Sequence, residues 1–168
     1  MTVVFAGGLS RGDRELAREA SLEALLKGAV GDLSLGNVSL NCRLATPTEI
    51  RRLNRDFAHS DQATDVLAFP AESGAESQFR VPPADEKFLG DIVISVTTAK
   101  TQAELAGNDP QAEVRLLAVH GLLHLLGHDH EEATAAARMT GVTRSLLDLH
   151  AGRLGMAAPS VPRLQSRA

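Results

Sequence analysis

Apolar and polar positions along this chain fall into short stretches of distinct period. Val38, Leu40, Cys42 and Leu44 alternate with Ser39, Asn41 and Arg43, the period-two mark of a half-buried strand. Leu89 to Ser95 is almost continuously apolar, as a strand in the middle of a sheet requires. A third strand runs from Thr64 to Phe69 and stops at Pro70. Helical spacing is predicted over Asp13–Leu26, where Leu16, Ala20, Leu22, Leu25 and Leu26 share a side, and a glycine-rich break follows from Gly28 to Gly36. Thr46-Pro47-Thr48-Glu49 supplies a cap, a proline for the first turn and a capping-box glutamate. That helix is expected to reach about Phe57, with Ile50, Leu53 and Phe57 turned inward. A further helix spans Thr97–Ala106. Asp109-Pro110 opens another, apolar nearly all round from Val114 to Leu126 and hence buried, which Gly127 ends. The last helix covers about Glu131–Leu149, with Met139 in the core. Residues 71–88, with Pro82-Pro83, are expected to be a surface loop or irregular hairpin. Strands and helices do not alternate strictly, so the fold class is α+β.

Composition narrows the function. A chain of 168 residues with 43% apolar and 23% charged positions suits one core. The expectation is a single domain over residues 1–156 and a mobile tail over 157–168. The N-terminus carries no secretory pattern, no apolar run approaches the roughly 20 residues of a membrane span, and Cys42 is the lone cysteine. Together these predict a cytoplasmic protein without membrane contact, in which Cys42 is a small core residue. The net charge of −4 is no footprint of a general nucleic-acid binder, and five Phe without Trp or Tyr offer little for base stacking. Any nucleic-acid contact is expected from a local patch. The best candidate is Arg43, Arg51, Arg52 and Arg55, set against one acid, Glu49. The rival reading is a solvated helix face making ordinary ion pairs.

The chemistry concentrates between His120 and His130. His120 and His124 stand four apart on the apolar helix, so both imidazoles lie on one face within reach of a single metal ion. Gly127 can reverse the chain and bring back His128 or His130 as a third ligand. The spacing H-x3-H-x5-H, with glycine seven residues after the first histidine, selects His130. Three imidazoles and an open corner describe a catalytic zinc site. Zinc peptidases place a glutamate base directly after the first histidine; here that residue is Gly121. Peptide hydrolysis is therefore disfavoured.

The segment His120-Gly121-x-Leu123-His124-Leu125-x-Gly127-x-Asp129-His130 resembles the signature of the YbeY family. Leu53-Asn54 leading into Thr64-Asp65-Val66-Leu67-Ala68-Phe69, and Leu89-Gly90-Asp91-Ile92-Val93-Ile94-Ser95, agree with it. The resemblance implies an α+β fold with a small mixed sheet among helices and a metal site at the C-terminal end of the buried helix. It implies a single-strand-specific, metal-dependent endoribonuclease with one zinc ion held by His120, His124 and His130. It further implies maturation of ribosomal RNA at the small-subunit 3′ end, ribosome quality control, and the small ribosomal subunit as partner, with no role for DNA. The family arginine after the aromatic residue is replaced by Ala58, and Arg55 or His59 is the candidate stand-in. Arg55 is accordingly placed among the catalytic candidates together with Asp129, which can also serve to orient an imidazole. Asp65 and Asp91 either take part in the site or hydrogen-bond locally.

Two other functions compete with this one. The first is a zinc metallohydrolase of peptide or small amide bonds. The second is a non-catalytic ribosome-assembly factor with a metal site. The oligomeric state is not legible.

Overall fold

The computed structural model describes residues 2–71, 87–128 and 133–154. In chain order these form β1 (Thr2–Phe5), α1 (Arg11–Glu19), α2 (Leu22–Asp32), β2 (Val38–Ala45), α3 (Pro47–Ala58), β3 (Val66–Pro70), β4 (Lys87–Ser95), α4 (Val96–Ala106), α5 (Pro110–Leu125) and α6 (Ala133–Leu154). The strands make one sheet in the order β1-β2-β4-β3. β1, β2 and β4 are parallel, and β3 returns antiparallel to β4. The fold is the expected α+β arrangement with a mixed sheet. The apolar strand β4 lies inside it, between β2 and β3.

Strand alternation divides the sheet into two faces. Leu40, Cys42, Leu44, Ile92 and Ile94 join the large core built with α1, α2, α4, α5 and α6. Val93 and Ala45, with Leu67 and Phe69 packed alongside, meet Ile50 and Leu53 of α3 on the other face. α3 and α5 thus lie on opposite sides of the sheet. β2 is not half-buried as expected: Ser39 and Asn41 are buried too. Asn41 Nδ2 donates to Asp91 Oδ1 at 2.7 Å there, so the Asp91 carboxylate is bound locally across the two strands.

The helix starts follow their sequence signals. Thr46 Oγ1 accepts from the Glu49 amide, and Asp109 Oδ1 accepts from the Gln111 amide. The Glu49 carboxylate is engaged by Arg43 Nε at 2.9 Å. α5 is buried along most of its length and Met139 is fully buried, as expected. Cys42 is fully buried, and burial pushes its thiol up to about 12, which leaves it inert.

Several expectations need correction. The single helix over 13–26 is two helices broken at Ser21, whose φ is +53°. The buried guanidinium of Arg115 on α5 explains the break. It donates to the Ala20 carbonyl at 3.0 Å and the Glu19 carbonyl at 3.3 Å, taking up groups that a continuous helix would have used itself. Gly28 and Gly31 lie inside α2, so the glycine-rich break begins only after Asp32. β1 was not expected, because its four residues carry no alternation. Phe57 is 46% exposed rather than inward, resting edge-on against Phe69 with centroids 5.7 Å apart. α6 extends to Leu154, beyond the expected Leu149. The expected loop over 71–88 falls almost wholly, and the tail over 157–168 entirely, outside the described residues.

Candidate metal centre

α5 lies against β4 so closely that the Ile92 side chain packs directly on the backbone of the helix at Gly121. A Cβ on Gly121 would stand 2.6 Å from Ile92 Cγ2. Position 121, where a zinc peptidase carries its base, is here the contact between helix and sheet. No side chain fits, and the missing glutamate is a consequence of packing.

One residue before this contact and three after it stand His120 and His124, both half-buried. Their Nε2 atoms are 3.0 Å apart. The rings meet edge to face, with centroids 4.5 Å apart and planes at 87°. With Zn–N bonds near 2.0–2.1 Å, two corners of a tetrahedral shell are separated by about 3.3 Å. At 3.0 Å the pair is close to the spacing of two tetrahedral ligands, and the donor chemistry fits zinc.

The helix ends at the glycine turn that the sequence predicts. Gly127 takes φ +81°. Its amide donates to the His124 carbonyl, and the His128 amide to the Leu123 carbonyl, each at 3.0 Å. This paired closure is a Schellman turn, which needs a residue tolerant of left-handed geometry. His128 is half-buried just past it. Asp129 and His130 lie outside the described residues. Among the described residues no third His, Cys, Asp or Glu joins the pair.

The four arginines gather on the opposite face of the sheet. Arg43, Arg51, Arg52 and Arg55 line an open groove of about 680 Å³ together with Gly7, Thr46, Thr48, Glu49 and Asp61. It lies where β1 and β2 end and α3 begins. Arg51 forks onto Asp61, with Nε to Oδ1 at 2.9 Å and a terminal nitrogen to Oδ2 at 2.8 Å. These hydrogen bonds hold the Asp61 carboxyl below its usual range. Arg55 Nε donates to Asp56 at 3.0 Å. Arg52 is exposed and makes no ion pair among the described residues. The face is solvated and partly paired, and it is concave and carries more cation than acid.

Gly7, Thr48 and Asp61 were not singled out from the sequence. The first reaches the groove only because β1 lies parallel to β2, and Asp61 only because the chain turns after α3. At the family arginine position, Ala58 is exposed and ends α3. His59 follows as a left-handed cap, its amide bound to the Asn54 carbonyl. Asp65 accepts from the Val66 amide at 2.9 Å and, across to α4, from Gln102 Nε2 at 3.1 Å.

Fold and site together define a small α+β domain whose buried helix presents a histidine pair at its C-terminal end. The family model described as Endoribonuclease YbeY matches residues 13–150. An endoribonuclease YbeY from Chloroflexus aurantiacus is 42% identical over 128 residues, 76% of this chain and 80% of its own. Another from Listeria welshimeri is 38% identical over 135 residues, 77% of this chain and 84% of its own. The solution structure of TM1509 from Thermotoga maritima is 25% identical, covers 92% of each chain and gives a TM-score of 0.56. The chain belongs to the endoribonuclease YbeY family, whose name denotes hydrolases of phosphodiester bonds within RNA.

Proposed function

We propose that this chain is a metal-dependent endoribonuclease. Its substrate is single-stranded ribosomal RNA, cut in maturation of the small-subunit 3′ end, and it serves ribosome quality control in the cytoplasm beside the small subunit. The observation that carries the reading is the convergence of His120 and His124 at 3.0 Å on a helix that ends in a left-handed glycine turn. Family membership supports it independently.

His120, His124 and, after the turn, His130 would hold one zinc ion. Bound there, such an ion lowers the pKa of coordinated water to about 7 and polarises a phosphoryl oxygen. The remaining work falls to the chain. Asp129 orients an imidazole of the site as a neighbouring carboxylate. Arg43, Arg51 and Arg52 hold phosphates of the strand. Arg55, the candidate stand-in for the arginine missing at Ala58, lines the same groove and would offset phosphate charge of the strand there. No helix among the described residues is long and apolar enough to cross a membrane.

Hydrolysis of peptides is the weaker reading, because the tight contact of Gly121 with Ile92 leaves no room for the peptidase base. The test is cleavage of a single-stranded ribosomal precursor, its duplexed counterpart and casein, each with and without chelator. Chelator-sensitive cutting of the single strand alone is expected. Cutting of casein, or RNA binding without cutting by metal-replete protein, would favour a rival.

A further inference from the structure

The arginine groove and the histidine pair are on different sides of the sheet, and they are also offset along it. Arg43 is level with Val93 in the strand register. At the other helix, Gly121 packs beside Ile92 and Leu125 beside Gly90, one and three residues nearer the start of β4. That offset amounts to about 3–10 Å. A helix layer stands about 10 Å off each face, so the two sites are separated by roughly 20 Å or more. One phosphate cannot touch both.

The covering of the sheet suggests how a strand connects them. β3 is the edge strand of the described sheet on that side. Phe57, at the end of α3, rests on Phe69 of β3, and Phe69 pairs with Asp91 beside Gly90. Among the described residues, the way from the α3 face to the end of α5 passes over β3, which is half-buried along its length. Arg52 is an exposed cation without an ion-pair partner among the described residues, so a phosphate meets it without displacing a carboxylate. Arg51 and Arg43 are already held by Asp61 and Glu49.

We propose that the groove is a distal phosphate-binding site for single-stranded RNA, centred on Arg52, that holds the strand several nucleotides from the bond being cut. This rests on the endoribonuclease reading for the identity of the ligand. At the 3.4 Å rise of a stacked strand, 20 Å of straight line corresponds to roughly six nucleotides, and the path over the sheet edge is longer. RNA shorter than this reaches the histidines without filling the groove. The groove thereby makes the enzyme select long, unpaired segments, since a duplex cannot bend tightly over a sheet edge.

The test uses the full chain and single-stranded oligouridylates of 4, 8, 12 and 16 nucleotides. KM and kcat are measured for wild type and Arg52→Ala. The expected penalty of the substitution is several-fold, falls in KM, and grows with RNA length. A penalty equal at every length, or one that falls in kcat, overturns the proposal. A second arm needs no cleavage: binding of an uncut 2′-O-methyl 16-mer is followed by anisotropy against salt. Losing one phosphate contact makes the slope of log affinity on log salt shallower by about 0.7. Arg52→Lys restores it. An unchanged slope in Arg52→Ala overturns the groove even if the protein cuts RNA. Wild-type protein that cuts no RNA yet loses slope in Arg52→Ala refutes the nuclease reading and leaves the groove standing.

Discussion

Gly121 of α5 and Ile92 of β4 are in such close apposition that a Cβ on the glycine would stand 2.6 Å from Ile92 Cγ2. The relationship ties the helix that bears the histidines to the middle strand of the sheet. It also accounts for the absent peptidase glutamate. Gly121→Ala is predicted to destabilise the protein although alanine favours helix by about 1 kcal/mol. Overpacking against a stiff, fully buried isoleucine costs about 1–3 kcal/mol. Gly121→Glu adds a carboxylate buried beside the sheet and loses more, without gaining peptidase activity. Urea unfolding of both variants measures this, and wild-type stability in Gly121→Glu would contradict it.

Arg115 carries the junction of α1 and α2. Its guanidinium, 5% exposed, binds the Ala20 and Glu19 carbonyls and Gln111. Arg115→Met leaves the buried Ala20 carbonyl without that donor, at about 1–3 kcal/mol. The expected result is a lower urea midpoint and faster hydrogen exchange in α1 than in β4.

His150 of α6 is 4% exposed, and its Nε2 has no hydrogen-bond partner among the described residues. Burial, then the charges of Arg115 and Arg153, hold its pKa below the ordinary value. The unfolded chain takes up the proton near 6.5, the folded chain only at lower pH. Between those two values the unfolded state binds more protons, so stability falls as pH falls through that window. Melts at pH 7.5 and pH 5 are expected to differ less for His150→Gln than for wild type. Equal differences would contradict this.

Asp61 restrains the groove by forking with Arg51. Asp61→Asn releases that cation at the surface, and stability is expected to stay near wild type. Affinity for a single-stranded 16-mer is expected to rise, with a steeper salt dependence. Anisotropy titrations decide the point, and an unchanged salt dependence would contradict it.

What could be read from the sequence was whatever depends on residues near one another in the chain. The histidine spacing, the cap at Asp109 and the Gly127 turn are local, and the apolar α5 and β4 announce burial by composition alone. The Ser21 break was not legible, because Arg115, which stabilises it, stands nearly a hundred residues away. β1 is too short to show a period and is a strand because β2 offers it an edge. Phe57 follows helical spacing yet lies at the rim of α3, where the sheet ends and only Phe69 is left to meet it. The four arginines were recognised as a strip. That they form a groove across the sheet from the histidines depends on strand alternation and on Gly7 and Asp61 arriving from other segments.

The central claim is that His120 and His124 are two corners of a metal site. Elemental analysis of purified wild-type protein and of His120→Gln and His124→Ala tests it most directly, with circular dichroism to verify that each variant is folded. One zinc ion per wild-type chain and little in either folded variant is the predicted result. Metal-free wild-type protein that takes up none when supplied with zinc, or wild-type metal content in both variants, would contradict the assignment.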